Sequence, residues 1–185
     1  MGEIKIKKQK PGNIFERVRI PNETQLELDG HMVRLSGKFG QAQRGFKNPL
    51  VRVSKVGNEI VLEGVGSNKN TKKILNSFKA HILNLIKGVN SGFAYKLKIC
   101  SGHFPMSVKV ENGSVIITNF LGERIPRIAR IIQGTNVAVK GDLITVSGAN
   151  IEEIAQTASN MEIATKIKNR DRRVFQDGIY IFSKE

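Results

Sequence analysis

Two ten-residue stretches decide the fold: LELDGHMVRL at residues 26–35 and VKVENGSVII at residues 108–117. In each of them, apolar residues alternate with polar residues on both sides of a turn dipeptide, Asp29-Gly30 or Asn112-Gly113. Alternation with a period of two indicates a strand with one buried face, and such dipeptides favour a tight hairpin loop. Each stretch therefore predicts an antiparallel hairpin.

These hairpins belong to a series of turn markers that occurs twice in the chain. Corresponding markers are separated by 82–84 residues, which indicates an internal duplication. The first series is Ile20-Pro21, Asp29-Gly30, Phe39-Gly40, Gly57-Asn58 and Glu63-Gly64, and the second is Phe104-Pro105, Asn112-Gly113, Leu121-Gly122, Gly141-Asp142 and Ser147-Gly148.

Each copy continues with a second hairpin, over residues 50–62 or 137–146, and then with an amphipathic run. Ser67 or Asn68 is suited to cap a first helix that runs to about Lys87, with Gly88 as its stop. Asn150 begins the second helix, where Glu153 completes a capping-box-like pair. The predicted fold class is α+β: two tandem copies of a small domain, each an antiparallel sheet covered on one face by a helix.

The predicted domain organisation has three parts. Residues 1–12 form a basic N-terminal arm that contains Lys5, Lys7, Lys8 and Lys10. Residues 13–98 form the first α+β repeat, and residues 99–185 form the second repeat with a basic C-terminal segment.

The charge balance indicates a polyanionic partner. The chain of 185 residues carries 30 Lys+Arg against 16 Asp+Glu, a formal net charge of +14, and a pI near 10.1. Nucleic acid is the simplest such partner, although composition alone does not distinguish RNA from DNA or from an acidic membrane surface. Aromatic residues make up only 6% of the chain, so shape and phosphate recognition of folded RNA fits better than base stacking.

The candidate RNA-binding residues fall into three groups, and each group also has an explanation that requires no RNA contact. The C-terminal cluster could instead be a solvated helix end whose cations favour the helix dipole. The arginines that recur every three residues among isoleucines could form only an exposed loop or short helix, and the glycines of the first repeat could only shape a turn. The predicted contacts are Lys166, Lys168, Arg170, Arg172 and Arg173; Gly122, Arg124 and Arg127; and Lys38, Arg44 and Lys47.

Signals for enzymatic chemistry are weak. The single Cys100 excludes a disulfide framework or a multi-cysteine metal site, and the three histidines lack the close spacing of a zinc hydrolase motif. Asp142, Glu152 and Glu153 are the nearest acidic cluster, and two of the three are explained by helix capping. We therefore expect no enzyme, no cofactor and no metal. A stretch of about 20 apolar residues is absent, so we expect no membrane contact and a cytoplasmic location.

Five motifs, spread over nearly the whole chain, carry a family resemblance. They are Asn84-Leu85-Ile86-Lys87-Gly88-Val89, Gly92-Phe93-Ala94-Tyr95-Lys96, His103-Phe104-Pro105, Asn119-Phe120-Leu121-Gly122-Glu123 and Arg173-Val174-Phe175-Gln176-Asp177-Gly178-Ile179-Tyr180. With these motifs the sequence resembles large-subunit ribosomal protein six, in its archaeal form and its eukaryotic counterpart called protein nine, more than in its bacterial form. The basic N-terminus is longer than that family's usual start.

The resemblance implies two copies of one small α+β domain and a structural role in the cytoplasmic ribosome. It further implies binding to large-subunit rRNA, mostly through the second domain and the C-terminal segment, near the translation-factor binding region and the stalk base. Neighbouring ribosomal proteins and translation factors are the other implied partners. The alternative is a free-standing RNA-binding or RNA-remodelling module that only shares the fold.

Overall fold

The computed structural model describes residues 12–171 and 173–185. The predicted basic arm up to residue 11 and the predicted contact Arg172 lie outside the described residues. The chain forms two units of the same design, each with six strands followed by a helix. The first unit comprises β1 (Ile14–Arg19), β2 (Gln25–Asp29), β3 (Met32–Ser36), β4 (Gln41–Gly45), β5 (Val51–Val56), β6 (Glu59–Gly64) and α1 (Lys69–Ser91).

The second unit repeats this order and adds one strand. A short 3-10 turn, Phe120–Gly122, precedes its fourth strand. The elements are β7 (Phe93–Cys100), β8 (Ser107–Glu111), β9 (Ser114–Thr118), β10 (Arg127–Arg130), β11 (Thr135–Lys140), β12 (Leu143–Gly148), α2 (Ile151–Ala164) and β13 (Gly178–Lys184).

Strand pairing confirms the predicted fold class and refines it. All pairs are antiparallel, and each unit holds two small sheets rather than one. The sheets have the orders β1-β6-β5 and β2-β3-β4 in the first unit, and β11-β12-β7-β13 and β10-β9-β8 in the second. In both units the first strand pairs with the last strand before the helix, β1 with β6 and β7 with β12.

The sheet order also moves the boundary between the units. The boundary expected after residue 98 falls inside β7, which pairs with β12 and β13 of the second unit. The second unit therefore begins at Phe93, directly after α1 and Gly92.

Each unit has its own apolar core beneath its helix. The first core packs Leu75, Ile82 and Val89 of α1 against buried strand residues such as Val33 and Leu62. The second core packs α2 against the two sheets in the same way. Ala149 of the second unit belongs to the first core, so the two units share apolar contact.

The first helix ends later than the sequence indicates. Asn68 caps it as predicted, by accepting a hydrogen bond of 2.8 Å from the Thr71 N–H. The helix passes through Gly88 and ends at Ser91, where Gly92 adopts a φ of +72° and donates its N–H to the Gly88 carbonyl. The backbone carbonyl of Ala149 lies against Gly88 where a side chain would project. Gly88 thus serves the contact between the units, not the end of the helix.

Candidate nucleic-acid interface

The C-terminal cluster of predicted contacts lies on a segment that is fixed at its start. Residues 166–173, here called the cationic segment, follow Thr165, the residue that caps the end of α2. Thr165 is buried at the end of α2, where its Oγ1 donates to the Met161 carbonyl and accepts from the Ile179 N–H at 2.9 Å. Ile167 is 6% exposed and belongs to the second core. These two buried side chains anchor the segment against the body of the unit.

The four described cations of the segment point outward. Lys166, Lys168, Arg170 and Arg173 are all exposed, and the first two alternate with buried Thr165 and Ile167. Alternating burial places consecutive lysines on one outer side of an extended chain. The segment is therefore a short cationic ridge, and not the solvated helix end that the sequence left open.

Two local contacts shape the distal half of the ridge. The Arg170 guanidinium lies 5.0 Å from the centre of the Phe175 ring, a cation–π distance. The Asp171 carboxylate accepts the Arg173 backbone N–H at 2.9 Å, which forms a side-chain-mediated turn. The Arg173 side chain nevertheless remains 91% exposed.

The far end of the segment is held by a buried carboxylate. Asp177, 3% exposed, accepts hydrogen bonds from the Gly102 N–H at 2.7 Å and from the His103 N–H at 3.3 Å. Burial alone would raise the pKa of Asp177, but these hydrogen bonds and the nearby His103 ring outweigh it and lower the pKa. The His103 ring also packs against Phe175 at 4.8 Å. Both ends of the ridge are thus tied to the second unit.

Comparison with known proteins gives consistent results. The family described as Ribosomal protein L6 matches residues 104–178, which include the cationic segment. Large ribosomal subunit protein uL6 of Methanobrevibacter smithii is 46% identical over 93% of this chain and 97% of its own length. The uL6 proteins of Aeropyrum pernix and Saccharolobus solfataricus are 44% and 43% identical, over 94% and 92% of this chain and 96% and 94% of their own lengths.

The chain belongs to the uL6 family of large ribosomal subunit proteins. This confirms the resemblance carried by the five motifs, including its archaeal character. It does not by itself assign any RNA contact to a residue, so the geometry of each candidate still decides its role.

Arg127 has a structural role. Its guanidinium donates two hydrogen bonds to the Glu123 carboxylate, at 2.8 and 2.6 Å. It also donates to the backbone carbonyls of Ala164, at 2.8 Å, and Lys166, at 3.2 Å, and lies 4.2 Å from the Phe120 ring centre. Arg127 therefore caps the carbonyl end of α2 and holds the start of the cationic segment.

The other members of the predicted arginine strip are placed differently. Arg124 is exposed in the loop before β10. Gly122 is exposed at the end of the 3-10 turn with a φ of +77°, a conformation that favours glycine, and it faces the Phe104 ring. The stretch for which an exposed loop or short helix was the alternative to RNA contact contains strand β10, in which Ala129 is buried between exposed Ile128 and Arg130.

The candidates of the first unit also include both exposed cations and one with a structural role. Lys38 pairs with Glu23 at 2.7 Å on an exposed loop, and Lys47 is exposed after β4. Arg44 forms an ion pair with Glu152 of α2 and lies 5.9 Å from the Phe46 ring centre. Arg44 thus joins the two units.

Sequence reasoning missed the residues that hold the ridge in place. Asp177 lies in a quoted motif, but no spacing signal links it to the loop at Gly102 and His103. Thr165 likewise follows a helical pattern with no sign of its bond to Ile179. Only the folded chain brings these groups together.

The described residues show neither of two other kinds of site. Within residues 12–171 and 173–185, His, Cys, Asp and Glu side chains do not gather in threes that could hold a metal ion. In the same ranges, neither helix combines the length and apolar character needed to cross a membrane.

Proposed function

We propose that this chain is a structural constituent of the large ribosomal subunit that binds large-subunit rRNA through the cationic segment. The observation that carries this proposal is the fixed, outward-facing ridge of Lys166, Lys168, Arg170 and Arg173. Arg172 is included by its place in the chain. A preorganised ridge loses little conformational freedom when it meets a folded polyanion.

The physical basis is release of condensed counterions from the RNA backbone. Each lysine or arginine that neutralises a phosphate releases such ions, so binding is tight at low salt and weakens steeply as salt rises. Exposed Arg124 and Gly122 extend this surface along the loop before β10. Lys38 and Lys47 would add weaker contacts from the first unit.

Membership of the uL6 family supports a finer placement. We propose that the chain lies near the translation-factor binding region and the stalk base of the cytoplasmic ribosome. Neighbouring ribosomal proteins and translation factors would be its protein partners. Its role would be structural, without enzymatic turnover. Glu152, from the acidic cluster noted in the sequence, forms an ion pair with Arg44.

Incorporation into particles tests the proposal. A variant with Lys166, Lys168 and Arg170 each changed to Glu should leave the large-subunit fraction of a sucrose gradient and accumulate in the free pool. The matched control changes Lys69, Lys72 and Lys73, exposed cations of α1, to Glu and should still comigrate with the subunit. Equal incorporation of both variants would refute the assignment of the cationic segment.

A competition assay separates the proposal from a free-standing RNA-binding or RNA-remodelling module. The wild-type chain should prefer a large-subunit rRNA fragment over unrelated RNA of equal length. Equal affinity for both RNAs would favour the free-standing module.

A further inference from the structure

The duplicated fold places β1 and β7 in equivalent positions. β1 pairs with β6 as β7 pairs with β12, and both pairs are antiparallel. Arg17 lies opposite Val61 in the first pair, and Lys96 lies opposite Thr145 in the second. Positions 61 and 145 are 84 residues apart, which is the spacing of the duplication. Arg17 of β1 is therefore the counterpart of Lys96 of β7.

The two strands differ at the edge that faces away from β6 or β12. On β7 this edge carries β13, which pairs with it antiparallel, and Ala94 and Glu185 exchange backbone hydrogen bonds of 3.1 and 2.9 Å. Within residues 12–171 and 173–185, β1 pairs only with β6 and ends its three-stranded sheet. The second unit thus shows how a strand occupies the position that lies beside β1 in the first unit.

The backbone of β1 is oriented to accept such a strand. The Ile20 N–H donates to the Asn58 carbonyl at 3.0 Å, on the side of β6. Because successive residues of a strand direct their backbone groups to opposite sides, those of Phe15, Arg17 and Arg19 point away from β6. We call this side the outer edge of β1. Its alternating donors and acceptors match an extended polypeptide, whereas phosphate oxygens only accept hydrogen bonds and would leave its carbonyl groups unpaired.

The charge on the outer edge indicates an acidic strand. In the second unit, Lys96 forms an ion pair with Glu185 at the end of β13. Its counterpart Arg17 is exposed, so a carboxylate on an added strand would pair with it in the same way. The chain's own N-terminal residues match this charge poorly, because like charges on neighbouring strands repel each other and this segment contains Lys5, Lys7, Lys8 and Lys10.

An exposed leucine lies beside the same strand. Lys79 of α1 reaches β1 through an ion pair of 2.8 Å with Glu16. Leu83 lies one turn later on the same side of α1 and is 48% exposed. In the second unit, the inner side of β13 contributes Ile179 and Ile181 to the core beneath α2. A strand added to β1 would likewise cover Leu83 with an aliphatic side chain.

We propose that the outer edge of β1 docks an antiparallel strand of a neighbouring protein of the large subunit. The strand carries a carboxylate that faces Arg17 and an aliphatic residue that packs on Leu83. These two residues lie on opposite faces of the strand, so an odd number of positions separates them in its sequence. The inference rests on the proposed assembly into the subunit, but it concerns a protein contact of the first unit that the cationic segment does not require.

Site-specific photocrosslinking in assembled subunits tests the inference. A chain with Leu83 replaced by p-benzoylphenylalanine should crosslink to a peptide of another subunit protein that contains this acidic and aliphatic pair. The control places the photoreactive residue at exposed Ser77 of the same helix. Two positions correspond to a rotation of about 200°, so Ser77 faces away from the side on which Lys79 meets β1 and should not yield that peptide.

Substitutions at Arg17 separate backbone pairing from charge. Arg17→Pro removes an N–H that points to the outer edge and leaves the pairing with β6 intact, so it should lower the crosslink yield from Leu83 about tenfold. Arg17→Glu keeps that N–H but repels a carboxylate, and should lower the yield about threefold. Arg17→Lys keeps both features and is the matched control. Thermal unfolding of each free variant verifies that it folds, and Arg17→Glu carries the test if Arg17→Pro does not fold.

The outcomes separate the two proposals. Crosslinks from Leu83 only to rRNA, or only to residues 1–11 of the chain itself, would overturn the docking inference while the chain remains in the subunit. A yield that Arg17→Pro and Arg17→Glu leave unchanged would overturn it as well. A wild-type chain absent from the subunit fraction would contradict the proposed function, and the docking inference with it.

Discussion

The Asp177 carboxylate lies 3.4 Å from Nδ1 of His103, although 74 residues separate them in the chain. Asp177 also accepts the backbone N–H groups of Gly102 and His103. The contact ties the loop after β7 to the turn before β13, at the end of the cationic segment. It therefore couples the stability of the second unit to the position of the proposed RNA-binding ridge.

Replacing Asp177 with Asn should lower the stability of the chain and change its response to acid. Loss of charge-assisted hydrogen bonds to a buried group costs about 1–3 kcal/mol. Because folding lowers the pKa of this carboxyl below 3.8, its contribution is complete at pH values above 3.8 and is lost as pH falls through the folded-state pKa. Urea unfolding at a series of pH values should show that the free energy of unfolding falls less steeply towards acid pH for Asp177→Asn than for the wild-type chain.

The matched control for this experiment is Asp142→Asn. Asp142 is exposed in the turn between β11 and β12. This substitution should leave both the free energy of unfolding near neutral pH and the acid limb close to wild type. If Asp177→Asn behaved like the control, the carboxylate would not anchor the segment.

Replacing Gly88 with Ala should destabilise the contact between the units. A methyl group at this position would collide with the Ala149 carbonyl, because the backbone of the second unit lies directly against the helix. Overpacking of this kind typically costs about 1–3 kcal/mol, which outweighs the roughly 1 kcal/mol gained from a better helix former. Thermal unfolding should show a lower Tm for Gly88→Ala.

Exposed Ser77 in the same helix provides the comparison. Ser77→Ala meets no such obstacle and should keep or slightly raise the Tm, because alanine has the higher helix propensity. A stable Gly88→Ala protein would show that the helix and the Ala149 segment can separate at little cost.

The sequence predicts the hairpins in which apolar and polar residues alternate around a turn dipeptide, but not β4 or β10, whose sequences QAQRG and RIAR lack that alternation. Both hairpins of each unit and the N-caps Asn68 and Asn150 follow from local alternation and turn chemistry. β1 and β7 are not predicted, since each pairs with a strand far along the chain, as in the pairing of Ile14 with Gly64. β13 is missed for the same reason, because its partner β7 lies far before it in the chain, as in the pairing of Ile179 with Ile99.

The same distinction between local and tertiary properties applies to the candidate site. Charge clustering is a local property of the sequence, and it is sufficient to identify Lys166 and Lys168 as candidates. Whether a cation faces solvent is a tertiary property. Arg127 and Arg44 have the same sequence signal as their neighbours, yet both are engaged with carboxylates within the chain.

The pKa of His81 should respond to the charge of Arg44. Burial lowers the pKa of His81 from its ordinary value of 6.5, and the nearby Arg44 guanidinium lowers it further. Arg44→Gln should therefore raise the pKa of His81, which an NMR titration of its ring protons would measure. Arg52→Gln on β5 removes an equal charge from the same unit and should leave the His81 titration unchanged. An unchanged His81 pKa in Arg44→Gln would show that the two side chains are not held together in solution.

The salt dependence of RNA binding should report the number of phosphates that the cationic segment neutralises. For a large-subunit rRNA fragment with duplex-like sites, the logarithm of the binding constant should fall linearly with the logarithm of the salt concentration, with a slope of about −0.9 for each phosphate. Changing Lys166, Lys168 and Arg170 to Gln should reduce that slope by about 2–3 in magnitude and weaken binding most at low salt. Changing Lys69, Lys72 and Lys73 to Gln removes the same charge from exposed positions of α1, so it serves as the control for net charge alone. Equal loss of slope in both variants would mean that binding follows the total charge of +14, and not the fixed ridge between Thr165 and Asp177.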